Sequence, residues 1–138
     1  MSEIVVDASV WISALLSKDV NHGVSRAWRR AWIAAGGTFT LPLLILPEVA
    51  GAVARRTGQA RLGDRAVATI VANPRVTLVS VDRQLARLAA EHASSSPLKG
   101  SDAVYTALAE QLSVPLVTWD NEQLTRVGGR VRVQQPAV

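Results

Sequence analysis

Short apolar stretches, several rich in β-branched residues, recur along this chain, and most are separated from the next by a stretch of helical length. "EIVVD" (3–7), "TFTLP" (38–42), "RVTLVSV" (75–81), "VPLVTWD" (114–120) and "RVRVQ" (130–134) read as strands. Between them, "ASVWISALL" (8–16), "HGVSRAWRRAWIAAGG" (22–37), "LLILPEVAGAVARRTG" (43–58), "ARLGDRAVATIVAN" (60–73), "DRQLARLAAEHASS" (82–95) and "SDAVYTALAEQLS" (101–113) read as helices, with Ser101 as a cap for the last. "NEQLTRV" (121–127) reads as a helical turn. Strands joined through helices need crossover connections, which predicts an α/β domain around a mainly parallel sheet. Strands that are apolar throughout, with no alternation, predict a sheet covered on both faces.

The 138 residues suit one domain, 1–138, and 49% hydrophobic content is enough to cover both faces of a sheet. There is no cysteine, which excludes disulfides and thiolate metal sites. No stretch approaches the roughly 20 apolar residues of a membrane span, and the first strand is not a secretory leader; the expectation is a soluble cytoplasmic domain with no membrane partner. Thirteen of the fifteen basic residues are arginine, and the formal charge is +4. Arg26, Arg29 and Arg30 cluster in one stretch, and Arg55, Arg56, Arg61 and Arg65 in another. Arginine's planar fork suits phosphate, so a nucleic-acid partner is one reading; solvated helix faces are the other.

The acids are few, and their positions carry more information. Asp7 ends the first strand and Asp120 ends "PLVTW", so both fall at the carboxyl ends of parallel strands, where ligands bind in such sheets. Asp102 lies in the first turn of a helix, and Glu48 stands inside an apolar helical stretch. Each has an ordinary explanation: helix capping by Asp7 and Asp120, the latter with Gln123 resembling a capping box, and first-turn acids at Asp102 and Glu48. By the same strand-end logic Asp82 is as good a candidate as Asp7, and the pattern alone does not separate them. His22 and His92 read as surface residues. Trp28 and Trp32 read as core or interface, with base stacking by Trp11 or Trp119 as an alternative.

Taken together, "VVDASVW", "LPEVAGAVAR", "SDAVYTALAEQL" and "LVTWDNEQL" resemble the four acidic signatures of PIN-domain ribonucleases, and more narrowly the VapC toxins of bacterial toxin–antitoxin pairs. The resemblance runs in order over nearly the whole chain. It implies a three-layer α/β/α PIN-like domain with four to five central strands. It also implies an endoribonuclease that depends on Mg²⁺ or Mn²⁺ and leaves a 5′-phosphate and a 3′-hydroxyl. By the same resemblance Asp7, Glu48, Asp102 and Asp120 form the acidic cluster, with Asp7, Asp102 and Asp120 as metal ligands. Ser9 and Thr118 fall where the family often has hydroxyls near the metal, and Lys99 is the nearest basic residue in sequence. Asp82 matches no family acid and falls back to a cap. Some relatives carry a further acid where Asn121 and Glu122 stand here. Implied partners are RNA, a VapB-like antitoxin and a second copy of the chain.

Physics makes the metal reasonable. Carboxylates about 4 Å apart repel by about 4 kcal/mol per pair at an effective dielectric near 20, so they take up protons or gather a cation. Hard divalent ions suit an all-oxygen set. Rival readings are a PIN nuclease of RNA processing, a binding module that keeps its acids without turnover, and a phospho-receiver domain. The last wants two successive acids after the first strand and a lysine after the last core strand, whereas Ala8 follows Asp7 and no lysine follows Asp120.

Overall fold

Ile4, Val5 and Val6 are all buried, although neighbours along a strand point to opposite faces, so the first strand is covered on both sides. The computed structural model describes residues 2–138. Its elements run β1 (Glu3–Val6), α1 (Ala8–Leu15), α2 (His22–Ala34), β2 (Thr38–Pro42), α3 (Ile45–Thr57), α4 (Ala60–Ala72), β3 (Val76–Val79), α5 (Arg83–Ser95), α6 (Gly100–Leu112), β4 (Leu116–Val117), α7 (Asn121–Arg126) and β5 (Val133–Gln134). The five strands are parallel throughout, in the order β3-β2-β1-β4-β5. The chain winds outward from β1 through β2 and β3, then crosses to the other side of β1 for β4 and β5. That reversal falls between β1 and β4, the topological switch point where open parallel sheets take their ligands.

Helix α6 lies against β1, β2 and β4, with α5 packed on it; α2 and α3 pack on α1, and α4 on α3. The largest fully buried side chains are Tyr105 and Phe39. Trp11 and Trp28 meet the Phe39 ring edge-on at 5.3 and 6.2 Å, and Trp32 stacks on Trp28. Both Trp11 and Trp28 are buried and unable to stack on a base. Among the described residues no helix is long and apolar enough to cross a membrane.

Three sequence expectations need correction. Helix α6 begins at Gly100 with Lys99 at the cap position, so Ser101 is already helical and caps nothing. The strand expected over 114–120 is regular only at Leu116–Val117: the Thr118 N–H still reaches the Gln134 carbonyl at 3.0 Å, but the Trp119 and Asp120 N–H groups go to the side-chain oxygens of Ser9 and Thr118. His92 is buried, not on the surface: its Nε2 lies 2.6 Å from Glu110 Oε2, and Arg130 Nη2 approaches the ring at 3.1 Å. The spacing Leu85, Ala89, His92 along the buried face of α5 carried that signal.

Helix α3, which bears Glu48, is clamped by a close crossing with α4. A Cβ added at Gly63 would stand 2.6 Å from the Ala50 carbonyl oxygen. Alanine normally gains about 1 kcal/mol over glycine in a helix, but overpacking against backbone costs about 1–3 kcal/mol. Gly63→Ala is therefore expected to lower the melting temperature. Gly23→Ala, on α2 with nothing within 4 Å of the new Cβ, should leave it unchanged or raise it. Thermal unfolding of the two variants checks this, and equal stabilisation by both would contradict the close crossing.

Candidate metal and active site

β1 and β4 deliver Asp7 and Asp120 to one rim, and the first turns of α3 and α6 bring Glu48 and Asp102 to the same place. All four line one open basin of about 400 Å³, together with Ser9, Lys99 and Glu122. Residues up to 113 positions apart in sequence thus meet at the switch point.

Hydrogen bonds hold each carboxylate differently. Asp7 is buried, and its Oδ2 accepts from the Ser9 backbone N–H and from the Thr118 hydroxyl, both at 3.1 Å. Asp120 Oδ1 accepts from the Glu122 N–H at 3.1 Å, while the Thr118 hydroxyl oxygen accepts from the Asp120 N–H at 2.9 Å. The capping roles of Asp7 and Asp120 are thus real, and they orient the same carboxylates that line the basin. Asp120 Oδ2 is different: it is buried with no hydrogen-bond partner among the described residues. A buried carboxylate oxygen left unpaired is costly unless something outside the protein satisfies it. Glu48 Oε1 accepts from the Tyr105 hydroxyl at 2.6 Å.

Electrostatics register the crowding. Burial, then the charges of Asp7 and Asp120 and the sharing of the Asp102 proton with the Asp120 carboxylate, push the Asp102 carboxyl up to about 7, with the Glu48 charge adding to the effect. Burial also raises Glu48; the Tyr105 hydrogen bond opposes this and the Asp7 charge adds to it. Burial, then the Glu48 carboxylate, raises the Tyr105 phenol, so Tyr105 stays a donor. The donor set is all oxygen, one buried oxygen has no hydrogen-bond partner among the described residues, and one carboxyl is pushed up to about 7 by burial and then by its acidic neighbours. These features fit a hard divalent cation. Among the described residues no three His, Cys, Asp or Glu side chains stand close enough together to hold an ion between them as they are placed.

A second set of hydrogen bonds supports the rim from below. Ser9 Oγ accepts from the Trp119 N–H at 3.1 Å, and the Trp119 indole N–H donates to Ser25 Oγ at 2.8 Å. Ser25 and Ser13 hydroxyls lie 2.6 Å apart. This chain of contacts ties α2 and α1 to the 118–120 segment. Neither Tyr105 nor Ser25 stood out in the sequence. Tyr105 had a signal, falling three residues after Asp102 on the same helix face; Ser25 had none. Asp82 caps α5 by accepting from the Leu85 N–H at 2.8 Å and lies outside the basin. Trp119 is half-buried and anchored, and Arg29 sits over the Trp11 ring at 5.6 Å with its guanidinium pKa lowered by burial, then by Arg26 and Arg30.

The PIN-domain family model matches residues 4–130. The chain belongs to the PIN-domain family. Its acidic signatures therefore sit in a PIN fold, and several solved structures are similar to it in fold. The VapC20 toxin of Mycobacterium tuberculosis, described as cleaving the sarcin-ricin loop, is 22% identical over 94% of this chain and 98% of its own, with a TM-score of 0.76. VapBC2 of Rickettsia felis, bound to promoter DNA, gives 0.73 at 9% identity over 96% and 98% of the two chains. PAE2754 of Pyrobaculum aerophilum gives 0.67 at 22% identity over 96% and 83%. No curated protein sequence matches this PIN domain.

The Asp102 shift sets a pH signature for the metal-free protein. Its folded carboxyl holds its proton up to about 7, whereas an unfolded aspartate releases it near 4. The native state therefore binds the proton more tightly, and stability declines as pH rises from about 4 to about 7. With divalent ions chelated, Asp102→Asn should melt higher than the wild type at about pH 8, and the gap should close towards pH 4. A gap that stays constant with pH would contradict ionisation of Asp102 as its cause.

Proposed function

We propose that this PIN domain is a Mg²⁺- or Mn²⁺-dependent endoribonuclease that hydrolyses RNA phosphodiester bonds as the toxin of a toxin–antitoxin pair. The observation that carries the reading is the shared basin of Asp7, Glu48, Asp102 and Asp120 at the switch point. Likeness to toxins such as VapC20, over almost the full length of both chains, supports the toxin branch. Several of these solved relatives are toxin–antitoxin complexes, which supports a VapB-like antitoxin as partner; a homodimer follows from the same reading.

Asp7, Asp102 and Asp120 would hold the cation. When bound, such an ion acidifies water and offsets negative charge that builds on the reacting phosphate. Ser9 and Thr118 keep Asp7 and the 118–120 segment in register and are supports in this scheme. Glu48, steadied by Tyr105 and made more basic by burial, orients the attacking water and draws on its proton. Lys99, exposed on the basin wall, meets the incoming phosphate with the opposite charge to its neighbours.

Incubation with cellular RNA and mapping of the new 5′ ends tests this. Cleavage is expected with Mg²⁺ or Mn²⁺, to stop on chelation, and to fall by about 10²-fold or more in Asp7→Asn and Asp102→Asn with the fold retained. Full activity in both variants would overturn the assignment.

A further inference from the structure

A second cavity, of about 290 Å³, opens on the same pair of helices that leads away from the acid basin. Lys18, Arg56, Thr57 and Gln59 line it, with Leu16 and Leu62 as apolar walls. Helices α1 and α3 pack together and connect the two cavities. Ile12 on α1 lines the basin, and Leu16, the residue that caps the end of α1, lines the second cavity. On α3, Glu48 lines the basin and Arg56 the second cavity, eight residues later or about 12 Å along the axis.

The charge changes sign along that path: carboxylates stand at one end, and at the other Lys18 and Arg56 outweigh Asp19, the partner of Arg56, by one positive charge. Arg56 is held in place: its Nη1 lies 2.8 Å from Asp19 Oδ2, and Asp19 Oδ1 accepts from the Asn21 N–H at 2.8 Å. A guanidinium fixed at one nitrogen loses less freedom when its other donors bind a ligand. Lys18 is exposed and makes no ion pair among the described residues. A fork, a point charge and uncharged donors over apolar walls suit a phosphodiester with its sugar or base.

We propose that the Lys18–Arg56 cavity is a phosphate subsite that anchors the RNA strand a few nucleotides from the bond to be cut. This rests on the RNA-cleaving reading and extends it. An acidic peptide is the competing occupant, but one that continued along α1 and α3 would bring carboxylates to the basin's own, whereas an RNA strand brings the phosphate to be cut.

The test measures binding of an oligoribonucleotide of about ten nucleotides to the Asp102→Asn protein in Mg²⁺, across a salt series. Adding Lys18→Gln is expected to weaken binding several-fold and to reduce the slope of log affinity against log salt by about 0.7, the value for one single-strand phosphate contact. It should also narrow the affinity gap between the oligomer and a dinucleotide. Arg56→Lys, which keeps the charge and loses the fork, should weaken binding less than Arg56→Gln. An unchanged slope with Lys18→Gln overturns the subsite. So does weakened binding of a glutamate-rich peptide with RNA binding intact, which would assign the cavity to a protein partner. Metal-dependent cleavage by the wild type alongside an unchanged slope removes the subsite alone, whereas absence of that cleavage removes the reading beneath it.

Discussion

Repulsion among carboxylates brought to one rim is the constraint around which this domain is arranged. Folding supplies the strand order, and strand order places β1 beside β4, so Asp7 and Asp120 meet whatever else the chain does. Burial first and crowding second then set the behaviour of the group: Asp102 keeps its proton to about 7, Glu48 is more basic than usual, and Asp120 holds a buried oxygen with no partner among the described residues. Such an arrangement costs stability, and proteins keep that kind of cost where a site needs it.

Neutral hydrogen bonds hold the carboxylates against that repulsion. Thr118 links two of the acidic residues, donating to the Asp7 carboxylate and accepting from the Asp120 backbone N–H. Ser9 and Trp119 carry the restraint down to Ser25 on α2, and the close α3–α4 crossing at Gly63 fixes the helix that carries Glu48. These restraints add no positive charge, so they position the acids without quenching them. Positive charge enters at the edges, at Lys99 on the basin wall and at Lys18 and Arg56 beyond it.

Much of this was legible in the sequence. Apolar stretches separated by helical periods gave the parallel sheet, because crossover connections leave few alternatives. Strand-end position nominated Asp7 and Asp120 on physical grounds, yet it nominated Asp82 equally; β3 lies two strands away from β1, and only topology separates a basin acid from a helix cap. Glu48 and Asp102 came from resemblance to the family, since helix-start acids have cheap local explanations. His92 was misread although its spacing with Leu85 and Ala89 marks the buried face of α5; what no local pattern encodes is its partner, Glu110, eighteen residues away on another helix. The Ser13–Ser25–Trp119 contacts were equally invisible to local pattern, and the segment after Thr118 departs from strand geometry because the Trp119 and Asp120 N–H groups bond to the side chains of Ser9 and Thr118.

Calorimetric titration of Mn²⁺ into the RNA-free protein at about pH 8, where Asp102 is ionised, is the most direct measurement of whether these carboxylates act as one. The wild type should bind the ion, Asp102→Asn and Asp120→Asn should bind it at least about tenfold more weakly, and Asp82→Asn, outside the basin, should match the wild type. Equal affinity in all four proteins, or no binding by the wild type, would contradict a cation shared across the basin.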